Sequence, residues 1–152
     1  MPRIIFGIYN VASVQRLLDF IKTVYAFGVG TPAIIKPSGA AAQVGVPEAH
    51  RFSYKYDKPL IVLPELTDLK EVLGIDKIYF LSKHGEEINI RNISFDEDTA
   101  IIIQGSDGEF TKAELQYGKP VKITNLPHDL PSHIKIAVLL YDIKRYLEQG
   151  ID

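Results

Sequence analysis

Two short loops in the last third of the chain contain residue types from which a ligand site can be built. The first, Gly105-Ser106-Asp107-Gly108, follows an apolar run at residues 100–103. Glycine lets the backbone approach a ligand closely, and exposed N–H groups can bind a carboxylate or a phosphate. The loop lacks the lysine of a Walker loop and the three spaced glycines of a dinucleotide-binding turn, so a nucleotide phosphate is not favoured. A solvated turn without a ligand is the alternative interpretation.

The second loop, residues 125–131, lies between a predicted strand at residues 121–123 and a predicted long helix. Pro127 and Pro131 restrict its backbone and leave carbonyl groups unpaired, which suits recognition of an adenine or ribose edge. Ser132 is predicted to be the N-cap of the helix. A plain strand-to-helix connection explains the same residues equally well.

Asn10 and Arg16 are the polar residues at the start of the chain that could serve such a site. Asn10 is predicted to end the first strand, and Arg16 to lie about one and a half turns into the following helix, on its polar side with Asp19. A guanidinium there could contact an RNA phosphate or an acceptor group of a substrate. The alternative is a surface ion pair of little energetic value.

Metal chemistry has weaker support in this sequence. The four histidines match no standard zinc spacing, and we expect no metal site. A magnesium-dependent nuclease centre could be built from Asp107, Glu109 and Lys112. Such a centre normally places its acid-x-lysine element on a strand, whereas these residues follow a glycine-containing loop. The nuclease is therefore the minor alternative.

Together these segments resemble the SpoU (TrmH-like) branch of the SPOUT superfamily of RNA methyltransferases. That branch has an asparagine followed six residues later by an arginine, a strand ending in Gly-Ser-Glu-Gly, and a proline-containing loop before Ser-Leu-Asn. The corresponding segments here are Asn10 to Arg16, residues 102–108, and Ser132-His133-Ile134. Two positions differ, because Asp107 replaces the glutamate and Ile134 replaces the asparagine.

The resemblance implies a trefoil knot over about residues 99–148 and S-adenosylmethionine bound by the knot loops. It also implies an obligate homodimer, in which Arg16 completes the partner's site, and a ribose 2′-hydroxyl of tRNA or rRNA as methyl acceptor. The catalytic residues it implies are Asn10, Arg16, Asp107 and Ser132. The cofactor-binding residues it implies are Gln104, Gly105, Ser106, Ile123, Leu126, Leu130 and Ser132.

An arginine near the acceptor would stabilise the developing alkoxide, and methyl transfer needs in-line positioning more than covalent catalysis. RNA capture would then fall to basic residues of the dimer, which are Arg51, Lys135, Lys144 and Arg145. Because Ile134 replaces the motif's asparagine, a catalytically inactive RNA- or protein-binding module is the main alternative to the methyltransferase.

Strands alternating with helices predict an α/β protein with a mostly parallel sheet of five or six strands flanked by helices. The predicted strands are residues 3–9, 33–35, 60–63, 77–81, 100–103 and 121–123. The predicted helices include residues 11–27, 66–73 and 132–146, with helical turns before and after an interruption at Gly45 and Pro47. Residues 88–90 are predicted to be a short return after the fourth strand.

The length and composition fit one domain over residues 1–152. The net charge of −2 gives no general attraction to nucleic acid. There is no cysteine, and no apolar run approaches the roughly 20 residues that span a bilayer. We therefore expect a soluble, cytoplasmic protein without a membrane partner.

Overall fold

The computed structural model describes residues 2–149, which form a parallel sheet flanked by helices. The strands are β1 (Ile4–Tyr9), β2 (Thr31–Ile35), β3 (Ile61–Leu63), β4 (Lys77–Ile88), β5 (Thr99–Gln104) and β6 (Lys119–Ile123). The helices are α1 (Val14–Phe27), α2 (Val46–Tyr56), α3 (Asp68–Glu71), α4 (Lys112–Leu115) and α5 (Ser132–Glu148). All described strand pairs are parallel, in the order β3-β2-β1-β5-β4-β6. The predicted α/β class and sheet are confirmed.

The sheet is buried on both faces, which explains why its central strands are continuously apolar. In β1, Phe6 and Ile8 join the core under α1 and α5, whereas Ile5 and Tyr9 join the core on the opposite face. None of these four side chains is more than 5% exposed. Because β1 and β5 are paired at the centre of this sheet, their carboxyl ends have a rigid position.

Helix α1 starts three residues later than the sequence predicts. Ser13 is its N-cap and accepts a hydrogen bond from the Arg16 amide at 3.1 Å, so the helix begins at Val14 rather than Val11. Its end at Gly28 agrees with the prediction, because that glycine has a φ of 68° and accepts the left-handed cap conformation. Arg16 therefore lies in the first turn of α1, not one and a half turns in.

Strand β4 is longer than predicted, and the predicted return at residues 88–90 is wrong. The strand continues to Ile88 alongside β6, with a bulge between Leu81 and Glu86. Gly85 permits this path, because a Cβ there would lie 2.3 Å from the backbone nitrogen of Val121. A 3₁₀ turn, Ile90–Asn92, follows instead.

The predicted interruption before α2 is also wrong. A π-helical turn, Ala41–Gly45, runs directly into α2, and Pro47 is accommodated in the first turn. Gly45 serves packing rather than helix termination, since a Cβ there would lie 2.8 Å from the Leu17 side chain.

Helix α5 closes one face of the sheet and positions the second predicted loop. It packs against α1, β5 and the 3₁₀ turn. Its buried side chains, Ile136, Leu139, Leu140 and Ile143, recur at helical spacing. Within residues 2–149, no helix is both long enough and apolar enough to cross a membrane.

Candidate functional site

A cavity of about 370 Å³ lies where the carboxyl end of β5 meets the start of α5, beside Leu81 of β4. One wall is the end of β5 and the loop after it, and the other is the loop before α5, residues 128–132. Leu81, Arg16 and Lys135 complete the lining. Clefts outside the carboxyl ends of parallel strands are the usual ligand sites of such folds.

The two predicted loops converge, as the sequence analysis required. Ser132 Oγ donates a 3.0 Å hydrogen bond to the Gln104 carbonyl, and His128 Nε2 lies 3.1 Å from Glu109 Oε2. Ser132 is the first residue of α5, and the N-cap position belongs to Pro131. The predicted N-cap role of Ser132 is therefore wrong, because its hydroxyl is directed across the cavity edge to β5.

Arg16 reaches the first loop of its own chain. Its Nη1 donates to the Gly105 carbonyl at 2.9 Å, and its Nη2 lies 3.2 Å from Asp107 Oδ1. The Asp107 side chain is 95% exposed, so that ion pair adds little stability. The carbonyl contact fixes the loop relative to α1. Arg16 thus lines the cavity of its own chain, rather than pairing with Asp19, which accepts from Gln15.

Gly105 is required by the close approach of two loops. Its amide donates to the Tyr9 carbonyl at 2.7 Å, and a Cβ would lie 2.7 Å from Val11 Cβ. Beside it, Gln104 Oε1 accepts hydrogen bonds from the amide and hydroxyl of Ser106. These contacts fix the first loop through its own residues and the end of β1. They do not involve the second loop.

Some predicted site residues lie outside this cavity. Asn10 ends β1 with a φ of 60° and donates its amide to the Ile35 carbonyl, but its side chain does not line the cavity. Ile123 and Leu126 line a separate depression of about 180 Å³ on the outer side of α5. Leu130 does line the main cavity. The family resemblance grouped these residues, whereas the chain turns at residues 128–129, between Leu126 and Leu130, so these two face different depressions.

Lys135 has a place in the cavity that the sequence analysis missed, since it was assigned to RNA capture. It lies one helical turn after Ser132, and residues three apart share a helix face. That spacing is the signal that could have identified it. Burial lowers the pKa of the Lys135 ammonium, although the nearby Glu109 and Asp129 carboxylates act in the opposite direction.

The residues of the alternative nuclease centre are not grouped as metal ligands. Asp107 pairs with Arg16, Glu109 pairs with His128, and Lys112 opens α4. Among residues 2–149, no three side chains of His, Cys, Asp or Glu lie close enough together to hold a metal ion.

Sequence comparisons place the chain in a family. The family described as RecB-family nuclease (DUF2122) matches residues 39–142. A protein of Methanocaldococcus jannaschii named as a candidate type II restriction enzyme, MjaORF1200P, is 25% identical over 148 residues, which cover 95% of this chain and 99% of that protein. A similarly named protein of Aeropyrum pernix, ApeKORF2002P, is 47% identical over 67 residues, which cover 44% of this chain and 43% of that protein.

Structural comparisons give a different set of proteins. The SpoU methyltransferase AviRb of Streptomyces viridochromogenes has a TM-score of 0.76 at 11% identity over 98% of this chain, which spans 61% of AviRb. The A. aeolicus TrmH/SpoU tRNA modifying enzyme has a TM-score of 0.67 at 15% identity, covering 99% of this chain and 78% of that one. A structure concerned with 2-OH methylation on tRNA has a TM-score of 0.73 at 18% identity, covering 97% and 92%.

At these low identities the structural likeness establishes the fold alone. The family match covers more than half of the chain and overlaps both loops of the cavity. The chain therefore belongs to the family described as RecB-family nuclease (DUF2122), and it shares its α/β fold with the SpoU methyltransferases named above.

Proposed function

We propose that this protein is an S-adenosylmethionine-dependent RNA methyltransferase that acts on tRNA or rRNA, with a ribose 2′-hydroxyl as the favoured acceptor. The observation that carries the proposal is the convergence of the two loops on one cavity at the carboxyl end of β5. AviRb, which shares the fold, has also been solved in complex with the cofactor AdoMet.

The residues around the cavity suit this cofactor. The volume of about 370 Å³ lies within the range of roughly 300–1,000 Å³ that is usual for small-molecule sites. Carboxylates of Asp107, Glu109 and Asp129 line it and can face a positively charged sulfonium and amino group. The lining also contains other polar and apolar side chains, which are Gln104, Ser106, Leu130 and Ser132. Gly105 lies between two of them in the first loop and packs against Val11.

When bound, S-adenosylmethionine supplies an electrophilic methyl group. Arg16 is the residue of this chain that best suits the acceptor oxygen. An arginine has five N–H donors, so Arg16 can hold the Gly105 carbonyl and still stabilise negative charge that develops on an alkoxide. Asp107 orients that guanidinium, and Asn10 would contact the acceptor strand from the neighbouring end of β1.

A knotted single domain over residues 1–152 and a homodimer belong to the same proposal. Support for a knot at about residues 99–148 comes from α5, which packs against β5 and also contacts the segment between β4 and β5, where Tyr146 OH donates to the Arg91 carbonyl at 3.4 Å. Support for a dimer comes from three side chains on one exposed face of α5, Ile134, Val138 and Tyr141, which are 41–57% exposed.

RNA capture would use the basic residues near that face. Arg145 lies 5.8 Å from the Tyr141 ring centroid, and Lys144 is its neighbour on α5. Arg51 is a weaker candidate, because it already pairs with Glu48 on α2. We also propose a cytoplasmic location, with which the cysteine-free sequence is compatible.

Titration calorimetry tests the cofactor assignment. We expect the wild-type protein to bind S-adenosylmethionine, and Ser106→Trp to abolish binding, because a large ring would fill the cavity. The same substitution at the exposed Ser94 provides the control and should leave binding unchanged. An absence of heat from the wild-type protein at millimolar cofactor would reject the proposal.

Two alternatives have distinct outcomes. The inactive binding module, suggested by Ile134, predicts cofactor binding without methyl incorporation into bulk tRNA or rRNA, as measured by nucleoside mass spectrometry. A metal-dependent nuclease is favoured by the family description and by the names of both relatives. It predicts magnesium-dependent cleavage of nucleic acid that is lost in Asp107→Ala.

A further inference from the structure

Lys135 extends from the first turns of α5 into the cavity. The face of α5 that carries Ser132 is held against the end of β5 by the hydrogen bond to the Gln104 carbonyl. Lys135 lies three residues further along, on the same face, and its side chain lines the cavity and is half-buried. Its ammonium is thereby placed beside the two converging loops rather than in bulk solvent.

Among the basic side chains that line the cavity, Lys135 differs in forming no hydrogen bond or ion pair with a protein group within residues 2–149. Arg16 holds the Gly105 carbonyl and Asp107, and His128 lies against Glu109. No described side chain forms a hydrogen bond or an ion pair with the Lys135 ammonium. An anionic group of a ligand would therefore meet a partly desolvated ammonium that forms no direct ion pair with the described residues.

The surrounding charges restrict which ligand group fits. Glu109 and Asp129 are close enough to influence the charge state of Lys135, so a group with only negative charge would meet two carboxylates as well as the ammonium. A zwitterionic group fits better, because its carboxylate can pair with the Lys135 ammonium and its ammonium with the two carboxylates. Charge-assisted hydrogen bonds in a partly enclosed site are roughly twice as strong as neutral ones.

We infer that Lys135, Glu109 and Asp129 form a subsite for the α-amino acid end of the cofactor, with the carboxylate on Lys135 and the ammonium on the two acids. The inference rests on the proposed function, because S-adenosylmethionine carries exactly one such zwitterion. Lys135 is thus a residue that sets cofactor specificity, and it acts in binding, not in the transfer of the methyl group.

A ligand pair that differs only by the amino acid end tests this assignment. S-adenosylhomocysteine carries the zwitterion, and 5′-deoxy-5′-methylthioadenosine is the same nucleoside thioether without it. For the wild-type protein, calorimetry should give a ratio of the two dissociation constants on the order of tenfold or more. Lys135→Met keeps the length of the side chain but removes its charge, so the ratio should fall towards one.

Lys144→Met is the matched control, because Lys144 lies on the same helix outside the cavity, and it should leave the ratio unchanged. If Lys135→Met keeps the wild-type ratio, or weakens both ligands equally, the subsite assignment is overturned while the proposed function stands. If the wild-type protein binds neither these ligands nor S-adenosylmethionine, the proposed function fails and the subsite fails with it.

Discussion

Gly105 and Gly108 belong to the same loop but face different surroundings. A Cβ on Gly105 would lie 2.7 Å from Val11 Cβ and 2.8 Å from the Tyr9 carbonyl oxygen, both parts of a rigid neighbouring segment. A Cβ on Gly108 would meet nothing nearer than Ser106 Oγ at 3.7 Å. The first glycine is therefore required by packing, whereas the second is not required by any contact of its own.

The matched substitutions should separate these two roles. Gly105→Ala should lower the free energy of unfolding by about 1–3 kcal/mol, because neither Val11 nor the β1 backbone can move away cheaply. Gly108→Ala should change it by less than about 0.5 kcal/mol. Urea denaturation followed by circular dichroism measures both values. Equal effects of the two substitutions would show that the close approach of Gly105 to Val11 is not constraining.

At the scale of elements, the sequence was sufficient to locate those strands whose apolar residues reflect burial on both faces of the sheet. The central strands β1 and β5 are apolar along most of their length because both sheet faces are covered, and the prediction located them within a residue or two. The β4 bulge was missed because Gly85 gives the appearance of a turn, and its close packing on Val121 is a tertiary contact. No local pattern contains that information.

In the candidate site, too, some features could be predicted from the sequence and others could not. The meeting of the two loops could be predicted, since both follow strands of one parallel sheet, β5 and β6, but the directions of individual side chains could not. Serine is a common N-cap residue, but the hydroxyl of Ser132 instead donates a hydrogen bond to the Gln104 carbonyl. Leu126 and Leu130 share one loop, yet they face different depressions because the chain turns between them.

A contact between β1 and α4 provides a test at this scale. The Tyr9 hydroxyl donates a 2.6 Å hydrogen bond to Glu114 Oε2, while Glu114 Oε1 accepts from the Thr111 amide in a capping box. Burial raises the pKa of Tyr9, and the hydrogen bond and the charge of Glu114 raise it further. Tyr9 thus stays protonated in the folded protein at pH values where it ionises in the unfolded chain.

Tyr9→Phe should lower stability by about 1–2 kcal/mol at neutral pH, because the hydrogen bond to a charged group is lost. A raised pKa means that the contribution of Tyr9 is complete below its unfolded value near 10 and is lost as the pH rises above it. The difference between wild type and variant should therefore shrink above about pH 10. Thermal unfolding across that range measures it, and a constant difference would contradict the assignment.

At the scale of the whole molecule, the family description names a nuclease, whereas the structural neighbours are methyltransferases, and the cavity is where the two chemistries can be compared. A metal-dependent nuclease would need several ligands close together, and within residues 2–149 no three side chains of His, Cys, Asp or Glu are grouped in that way. A methyltransferase needs a cavity that encloses a cofactor beside an acceptor. The proposed function rests on the cavity at β5 and α5 as that enclosure.

The exposed face of α5 leads to a prediction for the assembled protein. Ile134, Val138 and Tyr141 recur at helical spacing and are 42%, 41% and 57% exposed, so they form an apolar stripe that a second copy would bury. Val138→Glu would place a charge in the middle of that interface, and we expect it to convert a dimer into a monomer with an unchanged circular dichroism spectrum. The same substitution at Val72, which is 65% exposed outside α5, should leave the dimer intact. Sedimentation equilibrium measures both, and a wild-type protein that remains monomeric at about 100 µM, well above the dissociation constants of stable dimers, would contradict the interface.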